Sequence, residues 1–136
     1  MSALTRTALA IDTDLLRRFD RWMARRGYDS RSEAVRDLMR SALVQQEWED
    51  PSAEVVASLA IIYDHQRHEL AQQLTHLQHA DHHAIICSQH VHLDQTNCLE
   101  VIIMRGRARQ LRRLADTIIA TKGVRAGELT LLSLKV

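Results

Sequence analysis

His90 and His92 stand two residues apart, and Cys98 follows six residues after His92. On a β-strand, side chains two apart leave the same face, with Cα atoms roughly 7 Å from each other. That spacing suits two imidazoles chelating one ion. The intervening Asp94-Gln95-Thr96-Asn97 is rich in turn formers and reverses the chain, so Cys98 is expected on the neighbouring strand. Two imidazoles and a thiolate make a soft, strong-field donor set. Held in a plane, such a set suits Ni(II) or Cu(II); held as a tetrahedron, it suits zinc. Three donors still need a fourth. Glu100 shares the strand face of Cys98 and is expected to accept the free N–H of a ligating imidazole, fixing its tautomer. Cys87 is expected on the opposite face, with Ile85, Val91 and Leu93, as a core residue.

The eight histidines cluster between His65 and His92, which points to a metal site or a pH-sensitive surface. His76, His82 and His83 read as solvated. Two cysteines are too few for a disulfide framework and fit a reducing compartment. The sequence holds no run of eighteen apolar residues and no basic stretch leading into an apolar one, so no membrane span is expected and a cytoplasmic location is. Net charge is +1, but residues 1–46 carry nine arginines against six acids. The basic excess lies at the N-terminal end.

The elements that must position the donors read as β-α-β-β-α-β from Glu54 to Val136. Val55–Tyr63 is an apolar strand, and His68 to about His79 a helix with Leu70, Leu74 and Leu77 on one side. Ala84–Leu93 and Leu99–Met104 are the strands around the turn. Leu111, Leu114, Ala115, Ile118 and Ile119 mark a second helix, ended by Gly123, and Glu128–Val136 is the last strand. Two βαβ-like halves predict a ferredoxin-like sandwich, giving an α+β chain.

Ahead of this lies a smaller unit. Arg6–Ile11 alternates as a strand, with Thr7, Leu9 and Ile11 on one face and Arg6, Ala8 and Ala10 on the other. A helix follows from Asp12 or Thr13, with Leu15, Leu16, Phe19, Trp22 and Met23 as its apolar stripe and Gly27 as its C-terminal cap. Ser30-Arg31-Ser32-Glu33 opens a second helix as a capping box, and Val35, Leu38, Met39, Ala42 and Leu43 form its buried face. Asp50-Pro51-Ser52 breaks the chain. The expected division is 1–50, a linker at 51–53, and 54–136. One strand and two helices cannot close a core or pair their own edge. A dimer whose two strands pair antiparallel solves both problems, and such a ribbon fits a DNA major groove. Arg31 and Arg36, at the start of the second helix, are candidate phosphate contacts. Glu33 and Asp37, four apart, can hold a cation or pair with nearby arginines.

Leu15-Leu16, Arg26-Gly27-Tyr28 and Arg31-Ser32-Glu33-Ala34-Val35-Arg36-Asp37 resemble the ribbon-helix-helix segment of the NikR family of nickel-responsive repressors. Gln78-His79, His90-Val91-His92 and Cys98-Leu99-Glu100 reproduce that family's metal motif without a gap. The resemblance implies a βαα ribbon-helix-helix dimer followed by an ACT-type domain, assembled as a homotetramer on double-stranded operator DNA. It implies one Ni(II) per subunit, held by His90, His92 and Cys98 with His79 of another subunit as the fourth ligand. It also implies base reading by Arg6, Ala8 and Ala10, a phosphate contact by Arg67, and repression of nickel uptake. Ala8 and Ala10 depart from the hydroxyl residues expected of the family and offer only methyl contacts.

Three other classes fit parts of the pattern. A regulator of the same fold can sense copper, cobalt or zinc. An enzyme needs an open coordination position, and nothing else in the sequence supplies a general acid or base. An ACT module for a small molecule needs a glycine-rich loop, which is not evident between Leu93 and Leu99.

Overall fold

Five alternating residues, Val55, Ala57, Leu59, Ile61 and Tyr63, are buried along β1 (Glu54–Asp64), while the residues between them are only half-covered. This one-sided pattern belongs to the central strand of a sheet with helices on a single face. The structure is a computed structural model that describes residues 3–136. Its elements are α1 (Thr13–Arg26), α2 (Arg31–Glu49), β1, α3 (His68–Ala80), β2 (Ile85–His92), β3 (Asn97–Arg107), α4 (Ala108–Ile119) and β4 (Val124–Leu132). Chain contacts divide them into two units, one ending at Arg40 and one spanning Ser41–Val136.

In the second unit four strands form one antiparallel sheet in the order β2-β3-β1-β4. The element order βαββαβ is the expected one, and the chain is α+β. Leu70 and Leu74 of α3 join Ala108, Leu111, Leu114, Ala115 and Ile118 of α4 over the buried face of β1 and β3. The α4 face follows the 3.6-residue period of an amphipathic helix. The last turns of α2 belong to this core as well. Trp48 is 2% exposed, its indole N–H donates to the Leu132 carbonyl at 3.0 Å, and Arg112 stacks over its ring. The contact division therefore falls within α2 rather than at Pro51.

The last two strands differ from expectation at both ends, and β3 runs from Asn97 to Arg107 instead of Leu99 to Met104. β4 starts at Val124, directly after Gly123, and ends at Leu132 instead of running from Glu128 to Val136. Its first residues, Val-Arg-Ala-Gly, lack the alternation that marks a strand. Cys87 is exposed. It does lie with Val91 on the face opposite His90 and His92, but the helices cover the donor face, so it is exposed rather than core. A register shift between Ile85 and Cys87 puts Ile85, opposite Met104, on the other face from Cys87, opposite Ile103.

In the first unit Asp12 caps α1, its carboxylate accepting from Asp14 N and Leu15 N at 2.9 and 3.1 Å. Gly27, at φ +75°, closes the helix with backbone bonds to Ala24 and Met23. Ser30 accepts from Glu33 N at 3.2 Å, the hydroxyl half of the expected capping box. Residues 3–12 form no ladder within this single chain, and Arg6, Ala8 and Ala10 are exposed. Leu38, Met39 and Leu43 of α2, expected on a buried face, are also exposed.

Candidate metal centre

β2 and β3 pair with His92 opposite Cys98 and His90 opposite Glu100. Directly paired side chains share a face, so the two imidazoles meet the thiol on the helix side of the sheet. The turn between them is closed by Asp94, whose carboxylate accepts from the Thr96 and Asn97 amides at 2.8 and 2.7 Å. The Asn97 side-chain amide, donating at 2.8 Å, and then those two amides hold the Asp94 carboxyl down at about 2. The Cys98 sulfur lies 3.3 Å from His90 Nε2 and 3.3 Å from His92 Nδ1. All three donor atoms fall within 4.8 Å of one another. Among the described residues this is the one such group of histidine, cysteine and carboxylate side chains.

Cys98 is fully buried while both histidines reach solvent. Burial, followed by the Glu100 charge, pushes the Cys98 thiol up. An ion binding there must displace that proton. The donor set fits a soft divalent transition metal such as nickel.

A second layer of contacts orients the donors. Tyr63, opposite Cys98 on β1, places its hydroxyl 3.1 Å from His90 Nδ1. Burial and then the Glu100 charge raise the Tyr63 phenol, with a hydrogen bond to Glu100 adding to the shift. The phenol therefore keeps its proton. The direction of the Tyr63–His90 hydrogen bond follows the His90 tautomer, and His90 Nε2 is the ring nitrogen that faces Cys98. Glu100, 6% exposed, also accepts from Gln78 Nε2 at 2.7 Å, which ties the site to α3. Tyr63 was not marked by the sequence motif, and Gln78, quoted in it beside His79, was given no role, because β1 register and helix placement are long-range properties. His92 also meets the His65 ring edge-on, at 4.6 Å between centroids.

His79 is exposed near the end of α3 and lies outside the His90–His92–Cys98 group. The His82 and His83 rings lie tilted against each other at 41°, with centroids 3.9 Å apart. Arg67 precedes α3 as its N-cap residue. Arg31 forms a two-pronged ion pair with Asp20 at 2.8 Å per bond, whereas Arg36 is exposed. Asp37 accepts from Tyr28 at 3.0 Å and from Arg40 at 2.8 Å, while Glu33 stays exposed. That is the arginine-pairing alternative for Asp37.

Residues 56–132 match the family model described as the NikR C-terminal nickel-binding domain. The chain belongs to the NikR family. It is 50% identical over 131 residues to a nickel-responsive regulator of Solibacter usitatus, covering 96% of this chain and 94% of that protein. It is 49% identical over the same length and shares to one from Nitratidesulfovibrio vulgaris, and 44% identical to one from Geobacter metallireducens. Membership in NikR makes the chain a nickel-responsive regulator rather than an enzyme, and the donor cluster lies within the matched nickel-binding domain. Among the described residues no helix is long and apolar enough to cross a membrane.

Proposed function

We propose that this chain is a nickel-dependent DNA-binding repressor whose His90, His92 and Cys98 hold one Ni(II) per subunit, completed by His79 of another subunit. The observation that carries the reading is the Cys98 sulfur standing 3.3 Å from a ring nitrogen of each histidine. Exposure of His79, away from that cluster, supports a ligand delivered between chains. Bound nickel supplies a strong bond to each donor and so favours whichever assembly brings all four together.

The chain's own groups prepare the site. Tyr63 hydrogen-bonds His90, Gln78 anchors α3 to Glu100, and Cys98 gives up its proton on binding. The second unit is the ACT-type, ferredoxin-like half, through which dimers join into a homotetramer. Residues 6–11 pair with those of a second chain as the ribbon, which also covers Leu38 and Met39. Arg6 offers the ribbon's guanine-reading guanidinium, Ala8 and Ala10 offer methyl contacts, and Arg36 and Arg67 meet phosphates. Arg31 must trade its Asp20 partner to do the same. Metal and DNA then raise each other's affinity by the same factor. Nickel-uptake genes are the proposed targets, in the cytoplasm.

Titration of the purified protein with Ni(II), followed by gel shift on operator DNA selected from random sequence, tests the reading. Nickel at one equivalent per subunit should strengthen specific binding; equal binding with and without nickel contradicts it. Copper occupies such donor sets more tightly than nickel. A regulator responding to Cu(II), Co(II) or Zn(II) but not to Ni(II) establishes the alternative.

A further inference from the structure

The beginning of β4 reaches across to the loop that leads from β1 into α3. Arg125 donates from Nη1 to the Asn97 side-chain carbonyl at the first residue of β3. Its Nη2 lies 3.4 Å from Asp64 Oδ2 at the last residue of β1. A single guanidinium therefore clasps Asp64 and Asn97, the register partners at the ends of β1 and β3 from which the β1–α3 loop and the hairpin turn leave the sheet. The loop is also tied to that turn by its own atoms. His65 N donates to the Thr96 carbonyl at 3.0 Å, and Gln66 Nε2 to the Gln95 carbonyl at 3.1 Å. Within the loop, Asp64 accepts from Gln66 N at 3.0 Å and from Arg67 N, through its carbonyl, at 3.2 Å.

The turn so bridged is the segment that joins His92 to Cys98. Gly123, two residues before Arg125, approaches the loop from the other side. A Cβ there would stand 2.7 Å from Leu70 Cδ2 and 3.6 Å from Arg67 Nη1. The α4–β4 turn is thus packed against Arg67 and Leu70.

We infer that Arg125 is a positioning residue that couples the donor-bearing hairpin to residues 64–67, so that order gained at His92 and Cys98 reaches Arg67. The inference rests on the metal-centre reading and concerns how the hairpin is felt outside it. A guanidinium fork holds two acceptors in one plane, which a lysine ammonium does not reproduce. Arg125 is half exposed and stands 3.4 Å from Asp64, so the pair contributes little to global stability. Its loss should leave the sheet folded and loosen the loop alone.

Hydrogen exchange on the full-length protein, with and without Ni(II), tests this. In the native protein nickel should slow exchange of amides at 93–98 and also at 65–67. In Arg125→Met nickel should still slow 93–98 and give an unchanged absorption spectrum, while the slowing at 65–67 falls about fivefold. Arg125→Lys should recover only part of it. Asp64→Asn, which removes the other end of the bridge, should reproduce the loss and serves in place of Arg125→Met should that variant not fold. Full nickel-induced slowing at 65–67 in either Arg125→Met or Asp64→Asn overturns the inference. A native protein whose spectrum and exchange ignore nickel overturns the metal-centre reading instead.

Discussion

Gln78 donates a 2.7 Å hydrogen bond to Glu100, joining the last turns of α3 to β3 two residues beyond Cys98. Helix and donor strand are therefore held together at Glu100, and Tyr63 of β1 stands with its hydroxyl 3.1 Å from His90 Nδ1. Such outer partners typically change metal affinity by about 10- to 100-fold when removed. Gln78→Ala and Tyr63→Phe should each weaken nickel binding by about tenfold without unfolding the sheet. Competition against a chromophoric chelator measures this, and native affinity in both variants would remove the role given to these residues.

The two cysteines should behave as opposites. Cys98 is buried between the imidazoles, whereas Cys87 faces the other side of the sheet. Cys98→Ser should abolish the sulfur-to-nickel charge-transfer absorption, and Cys87→Ser should keep it at native intensity.

Glycine substitutions separate strain from collision. Gly27 has φ +75° with nothing within 4 Å of a built Cβ, while Gly123 combines φ +104° with Leu70 Cδ2 at 2.7 Å. Gly27→Ala should cost about 1 kcal/mol from backbone strain, and Gly123→Ala about 2–4 kcal/mol because overpacking adds to the strain. Thermal melts of the two variants give the ranking. A Gly123→Ala protein as stable as Gly27→Ala would contradict it.

Glu47 carries an acid dependence whose sign is fixed. Hydrogen bonds from Ser133, then Lys135, hold its carboxyl below the ordinary value of 4.5. A lowered carboxylate stabilises the fold above its unfolded value and loses that contribution as pH falls through the folded one. Native protein should therefore melt above Glu47→Gln at neutral pH, with the gap closing below pH 4.5. A gap that widens in acid would show that these bonds do not stabilise the charged form.

The βαββαβ order was legible because β1, α3 and α4 each carry a clean apolar period. The donor set was legible because period two puts His90 and His92 on one face and a turn returns Cys98 beside them. Tyr63 and Gln78 were not, since their meeting with His90 and Glu100 depends on pairing across 27 and 22 residues of sequence separation. Cys87 was put on the right face but read as core, because strand alternation does not say which of two faces the helices cover. Arg31 was read as a phosphate contact without sight of Asp20, eleven residues away and bonded to it. The exposed apolar residues of α2 follow the helical period well, but a period does not say whether the covering surface belongs to the same chain.

The central claim is that His79 of one chain completes the site formed by His90, His92 and Cys98 of another. Co-expression of His79→Ala and Cys98→Ser chains tests it most directly. Neither variant alone should form the four-donor nickel site. In a mixed assembly each native Cys98 can meet a native His79, so nickel-thiolate absorption should return at about half the native stoichiometry in mixed pairs. Recovery of that absorption supports the inter-subunit site. A mixed assembly that binds nickel no better than the two variants alone contradicts it.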